Sequence, residues 1–264
     1  MKSRILFILI ILFCMYISLY THYKYNMEIR QKKWMFYISQ EEVEQKYNES
    51  KHSIDMVIAR YNEPLDWLYK INTNNINVIC YNKNDTEFYH PKVDKVINLP
   101  NIGKCDHTFL YHIINNYNCL SDMTIFTVGS CDMSYKWAQF LSIFYNAKMY
   151  NKSVFWTVKY SDIKSELYDF TLENYQTSDP INISKNKEIK TQLCNIRPFG
   201  KWYENKFGNL KIREVNYRAM FAVNKNDIRN RPKEFYENLI LDVMTSNPEC
   251  GHFIERSWLA IFNK

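Results

Sequence analysis

The sequence predicts an α/β fold: a mostly parallel central sheet with flanking helices, preceded by an N-terminal transmembrane helix. Three observations carry this expectation. Short apolar, β-branched runs at 55–60, 76–81 and 123–128 each stop abruptly in polar loop residues. Segments with helical apolar spacing lie between them, and strand–helix alternation favours parallel pairing through right-handed crossovers. The opening "MKSRILFILIILFCMYISLY" sets Lys2 and Arg4 before an uncharged, bulky apolar run.

Residues 1–4 read as a cytoplasmic tail and 5–21 as a signal-anchor. Sixteen apolar residues rise roughly 24 Å as a helix, workable in a thin secretory membrane. A cleaved signal peptide competes, but Leu19, Tyr20, Thr21 and His22 offer no small-x-small cleavage site. The leading basic residues favour a cytoplasmic N-terminus, although Lys24, Arg30, Lys32 and Lys33 follow the run and weaken that orientation. The expectation is a single-pass protein of a secretory-pathway membrane, held there by this helix, with a lumenal C-terminal domain. Residues 22–51 are polar and Gly-free and read as a partly helical stem. Residues 52–264 have the length of one domain.

Within the body, strand 55–60 empties into Arg60, Tyr61, Asn62, Glu63 and Pro64. Turn chemistry explains that ending, and so does a ligand, because open α/β sheets bind at the carboxyl ends of their strands. A helix is expected over 64–71, and strand 76–81 ends in the turn cluster "NKND". A short strand at 95–99 leads to an Asn101-Ile102-Gly103 turn. A helix from about 106 to 116 then carries Phe109, Leu110, Ile113 and Ile114 on one face. Strand 123–128 runs into Gly129, Ser130, Cys131 and Asp132. Further on, "RAMFAVNKNDIRNRPKEFY" reads as a strand, a turn and a helix with Pro232 in its first turn.

The chain holds only five glycines, so Gly103, Gly129 and Gly251 mark places where the backbone needs freedom. The net charge of +6 forms no dense basic stripe, and no nucleic acid partner is expected. Cys80, Cys105, Cys119, Cys131, Cys194 and Cys250 show no CxxC spacing, which argues against a zinc site and leaves disulfide pairing open. His107 and His112 lack the glutamate of a zinc-protease helix. The sequons at Asn48, Asn84, Asn151 and Asn182 are compatible with a lumen but expected by chance in so Asn-rich a chain.

In order, "VIARYNE", "INVICYNKND", "NIG" and "TIFTVGSCDM" resemble the nucleotide-binding half of GT-A-fold (Rossmann-type) nucleotide-sugar glycosyltransferases. A closer resemblance is to an uncharacterised domain family of fungi, algae and large DNA viruses. "RYNEPLDWL", "FAVNKNDIRNRPKEFYENLI" and "HFIERSWLAIF" carry it, over about 55–262.

The resemblance implies a membrane-anchored glycosyltransferase moving a sugar from a nucleotide-sugar donor to a glycan or glycoprotein acceptor. It places Arg60, Tyr61, Asn62 and Glu63 at the base and ribose, and Asn101 and Gly103 near the diphosphate. A tight helix-capping turn explains Asn101 and Gly103 equally, and Lys104 beside them either faces phosphate or is solvated. Mn²⁺ or Mg²⁺ is the implied cofactor, with Asp132 and His252 as metal ligands and Glu255 as the catalytic base. His252 and Glu255 are three apart and share one helix face.

Each assignment has a plainer competitor. Asp132 could cap the next helix, and Glu255 could pair with a core arginine. Arg218 and Arg231 meet phosphate, acceptor or only solvent. Trp137, Trp156 and Trp202 either form a sugar-stacking wall or simply pack. The chain also departs from the Asp-x-Asp pattern, since Ser130 stands where the first acid would fall. The alternative is therefore a catalytically inactive GT-A-like domain, serving as a membrane-bound binding or structural protein.

Overall fold

The computed structural model describes residues 40–159, 167–172 and 191–262. By contacts the chain divides into Met1–Gln45 and Lys46–Lys264. The first unit's described residues open helix α1 (Gln40–Ser50). In the second unit come β1 (Ile54–Arg60), a 3-10 turn (Asp66–Lys70), β2 (Ile76–Asn82), β3 (Lys95–Asn98) and α2 (Lys104–Asn116). They are followed by β4 (Met123–Val128), α3 (Ser134–Met149), β5 (Val154–Lys159) and α4 (Phe199–Phe207). The chain closes with β6 (Glu214–Asn224), α5 (Lys225–Arg229), α6 (Lys233–Ile240), a 3-10 turn (Leu241–Val243) and α7 (Glu249–Phe262).

β1 is buried along its whole length. Val57 and Ala59 face a core with Tyr81, Phe109, Phe221 and Trp258. Met56 and Ile58 face the other, with Cys80, Trp67, Ile125 and Phe140. Coverage on both faces is why these strands are continuous apolar runs with no polar alternation. Each large side chain taken fully out of water contributes about 1.5–3 kcal/mol.

The sheet order is β3-β2-β1-β4-β6-β5. β1 pairs in parallel with β2 and β4, and β2 with β3. β6 pairs antiparallel with both β4 and β5. The sheet is therefore mixed, which corrects the mostly parallel sheet expected from strand–helix alternation. That alternation constrains only the first half of the chain; β6 returns between β4 and β5 by pairings distant in sequence.

The second part of the expected fold, a membrane-spanning helix, has no counterpart among the described residues. No helix among the described residues is long and apolar enough to cross a membrane, and the apolar run at 5–21 lies outside the described residues. The helix expected over 64–71 is only the 3-10 turn, because Leu65 takes a left-handed φ of 60° and breaks the helical path. β5 has no counterpart in the sequence expectations. Its residues are half-buried or exposed, so it lacks the continuous buried signal of β1 and β4.

Two features shape the end of the sheet nearest α7. In the β5–β6 ladder, Phe155 opposes Phe221 but Thr157 opposes Asn216, so Trp156 alone faces residues 217–220. Within this bulge Arg218 and Ala219 have φ of 75° and 49°, a left-handed pair that non-glycine residues adopt only when the surroundings compel it. The second feature anchors the start of α7. Cys194 and Cys250 form a disulfide, and the buried Glu249 carboxylate accepts N–H bonds from Leu172 and Cys194, each at 2.9 Å. Arg197 completes the anchor, with Nη2 3.0 Å from Glu249 Oε1 and Nε 2.8 Å from Oε2.

Candidate functional site at the switch point of the sheet

Strand order reverses between β1 and β4: β2 and β3 lie to one side of β1, and β4 opens the other. Such a switch point leaves a crevice beyond the strand ends, where ligands bind in open α/β sheets. The loops there are residues 60–64 and 129–133, and they touch. A Cβ added at Gly129 would come 2.9 Å from Glu63 Oε2, so glycine is what permits the approach. Trp67 Nε1 donates to Gly129 O at 2.8 Å, and Gly129 N to Ala59 O at 2.8 Å.

Within the first loop the expected nucleotide-binding residues divide. Arg60 is buried, with its Nε and Nη1 engaged. Its Nε donates to Glu63 O at 2.8 Å, its Nη1 to Tyr61 O at 3.1 Å and Asn82 Oδ1 at 2.7 Å, and it stacks 3.7 Å from the Phe88 ring. These bonds frame the loop from below. Glu63 Oε2 accepts the N–H groups of Tyr61 at 2.7 Å and Asn62 at 3.1 Å. Tyr61 and Asn62 are exposed at the mouth, with the Asn62 carboxamide hydrogen-bonded to Asn84.

Asn101 is an exposed turn residue. Gly103 has φ 58° and donates its N–H to Thr245 O at 2.6 Å. Its requirement is close packing against Val243, and its consequence is the direction of Lys104, the next residue. Lys83, at the end of β2, is buried and donates to Ile102 O at 2.5 Å and to Lys104 O. Burial lowers its pKa to about 8. This lysine clamps the turn from beneath.

Helix α7 supplies the far wall. His252 Nε2 lies 3.3 Å from Lys104 Nζ, and burial, then Lys104 and Arg256, push its pKa down to about 3, so the imidazole is neutral. One helical turn on, Glu255 Oε1 accepts the N–H of Arg218 at 2.7 Å, a bond that the left-handed bulge of β6 makes available. The Arg218 guanidinium turns toward α3, bonding Tyr135 O and, at 3.0 Å, Gln139 Oε1.

From the start of α3, Lys136 Nζ donates to Ser130 Oγ at 3.0 Å. Burial lowers the Lys136 pKa, opposed by Cys105, Cys131, Glu63 and Glu255. Lys136 is thus within electrostatic reach of both Glu63 on the β1 loop and Glu255 on α7. Asp132 is exposed before α3, and its carboxylate makes no hydrogen bond among the described residues. The capping position belongs to Met133, without a side-chain cap.

These donors suit Mn²⁺ or Mg²⁺ poorly. Both ions prefer several oxygen ligands, carboxylates foremost. Here the oxygen at the first-acid position, Ser130 Oγ, meets an ammonium, and so does the imidazole nitrogen of His252. Among the described residues no group of three or more His, Cys, Asp or Glu is placed to share an ion.

The tryptophan wall does not form. Trp202 is buried in the core on one face of the sheet, whereas Trp137 and Trp156 pack on the other. Arg231 also lies elsewhere, its carbonyl accepting from Tyr117 Oη at 2.6 Å. Sequence reasoning missed Lys83, Lys136 and Asp106. Only "SYKW", a lysine early in the helix after Asp132, hinted at any of them.

Asp106 sits behind Glu255, fully buried, accepting from Trp258 Nε1 at 3.1 Å. Burial first, then the Glu255 charge, raises its pKa from an ordinary 3.8 to about 8. The folded chain therefore retains a proton that the unfolded chain releases. Stability is fully present below about pH 4 and falls as pH rises toward 8. Asp106→Asn keeps an acceptor for Trp258 and cannot ionise. Its urea midpoint should gain on the parent's progressively from pH 4 to 8 and level off above; a gap independent of pH would contradict this.

Among known families, the model described as "Protein of unknown function (DUF3431)" matches residues 56–264. No curated protein matches the chain, and no solved structure does.

Proposed function

The chain belongs to the family of proteins of unknown function DUF3431, and we propose that it is a glycosyltransferase that moves a sugar from a nucleotide-sugar donor to a glycan or glycoprotein acceptor. One observation carries this reading. Five separate segments meet at the switch point of the sheet: Lys104 lies beside His252, the Arg218 N–H bonds Glu255, and Lys136 is within electrostatic reach of Glu63 and Glu255.

The chemistry follows from that grouping. Tyr61 and Asn62 at the mouth are placed for the base and ribose. The cations are placed for the diphosphate, whose negative charge grows as the bond to the sugar breaks. The departing sugar develops oxocarbenium character, and Glu255 is the carboxylate to receive the acceptor proton. Its Oε1 accepts the Arg218 N–H and its Oε2 lies 3.9 Å from the buried Arg256 Nη1, so the carboxylate that would receive the proton is also paired with the core arginine that the plainer reading expects. The Cys194–Cys250 disulfide supports an oxidising, lumenal setting for the body.

The test is nucleotide release by the full chain over a panel of UDP- and GDP-sugars with mixed glycan acceptors. Glu255→Gln should lower turnover by roughly 10²–10⁴-fold while donor affinity changes little. Full turnover in Glu255→Gln would remove the base assignment. Binding of nucleotide without release under any condition would favour the second reading, an inactive binding domain, which Ser130 in place of an acid also favours.

A further inference from the structure

We propose that the donor's diphosphate is neutralised by Lys104, Lys136 and Arg218, which take the place of a divalent metal ion. This inference rests on the transferase reading and goes one step beyond it, to how the leaving group is held.

Three observations meet here. First, the three cations come from three different elements: the start of α2, the first turn of α3 and the bulge of β6. Lys104 Nζ lies beside His252 of α7, Lys136 is within electrostatic reach of Glu255, and the Arg218 guanidinium reaches the first turns of α3, on either side of Lys136, while its backbone N–H bonds Glu255. Among the described residues none of the three side chains forms an ion pair with a carboxylate, although Lys225, Lys206 and Arg197 elsewhere do. The nearest carboxylate, Glu255, spends Oε1 on the Arg218 backbone N–H and leaves the guanidinium to uncharged carbonyl oxygens. Lys104 and Arg218 are exposed, so water solvates them in the free protein and an anion can reach them, and their grouping with Lys136 attracts one.

Second, the positions a metal would need are taken by positive charge. Lys136 Nζ lies on Ser130 Oγ at 3.0 Å, and Lys104 Nζ lies beside His252 Nε2 at 3.3 Å. A divalent cation brought to either atom would meet an ammonium at contact distance. A phosphate oxygen brought there would be attracted instead.

Third, two of the cations are held by strained backbone. Arg218 sits in a left-handed pair inside a strand, and Lys104 itself has φ 49°. Lys83 is buried beneath Lys104 and grips its carbonyl. Strain of this kind persists where the surroundings over-determine it and clusters at ligand sites. Ammonium and guanidinium groups suffice chemically: charge-assisted hydrogen bonds to phosphate oxygens are about twice as strong as neutral ones. When the bond from the anomeric carbon to the diphosphate breaks, its electron pair goes to the diphosphate oxygen, where these donors stabilise it.

The experiment titrates the full chain calorimetrically with inorganic pyrophosphate, UDP and GDP, once in EDTA and once in Mn²⁺. The expected result is binding in EDTA with an affinity within about twofold of that in Mn²⁺. Lys136→Gln and Lys104→Gln should each weaken it roughly ten- to a hundredfold, and Lys136→Arg should retain most of it. Unliganded melting temperatures establish that each variant is folded, and Arg218→Gln gives an independent third position.

Binding that appears only with Mn²⁺ and vanishes in Asp132→Asn would overturn the inference and leave the transferase reading standing. Pyrophosphate binding in EDTA without any sugar transfer would overturn the transferase reading, and with it the donor's part in the inference, leaving only a metal-free anion site at these cations. No binding of any of the three anions in either condition would end both.

Discussion

Gly103→Ala is expected to destabilise the fold by more than about 4 kcal/mol, a loss in the exceptional class for a single methyl group. Two costs add. The φ of 58° charges an L side chain on the order of 1 kcal/mol by itself. The larger cost is steric: the new Cβ would lie 2.2 Å from Val243 O, 2.5 Å from His107 Cβ and 3.0 Å from Val243 Cβ. None of these is the free end of a flexible side chain, so the turn must lift away from residues 243–245 and lose its 2.6 Å bond to Thr245 O. A domain of this size holds about 5–15 kcal/mol in all. Chemical denaturation of the variant, or its soluble yield if it will not refold, reads the effect. A loss under about 1 kcal/mol would show that the turn relaxes freely and that close packing is not what glycine serves here.

Glu249→Ala should cost roughly 3–5 kcal/mol and lower the melting temperature by about 10 °C. The carboxylate is fully buried and accepts from Leu172 N, Cys194 N and the Arg197 guanidinium. Removing it takes the acceptor from two buried N–H groups and the carboxylate from the Arg197 guanidinium, and unpaired buried donors are costlier than the bonds themselves are favourable. Glu249→Gln keeps one acceptor but turns an N–H₂ toward donors, so an intermediate loss is expected. The double variant with Arg197→Ala should lose less than the sum of the singles, because the stranded charge disappears. Strict additivity would contradict the ion pair. The measurement belongs under non-reducing conditions, since the neighbouring Cys194–Cys250 bond otherwise breaks as well.

Both changes also bear on the crevice. Gly103 directs Lys104, and Glu249 fixes the end of the helix that carries His252 and Glu255. Their effects on stability and on ligand affinity should therefore move together, whereas Lys136→Gln should affect affinity alone.

Parts of this arrangement were legible in the residue order. The runs at 55–60, 76–81 and 123–128 lie within a residue of β1, β2 and β4, because a strand buried on both faces must be continuously apolar. The break after each was equally plain, since Arg-Tyr-Asn-Glu-Pro and Asn-Lys-Asn-Asp cannot continue a core strand. The spacing of His252 and Glu255 placed both toward one side of α7. Arg60 was harder. As a motif residue it reads as ligand-binding, but its partners Asn82 and Phe88 come from β2 and the loop after it, which periodicity does not locate. Lys136 carried only the faint signal of a lysine early in the helix after Asp132, because its meaning comes from Ser130 across the loop and from Glu63 and Glu255 on other elements.

Taken alone, the amino-acid order determined which segments become strands or helices and which polar residues stand at strand ends. Those are local properties, set by side-chain branching, apolar spacing and turn chemistry. Only the tertiary structure decided that β6 runs against its neighbours, that its bulge hands an N–H to Glu255, and that ammonium groups occupy the places expected of a metal. Each of these depends on which distant segments are brought within about 3 Å of one another. That proximity is a consequence of packing and strand pairing across the whole chain, and no window of neighbouring residues contains it.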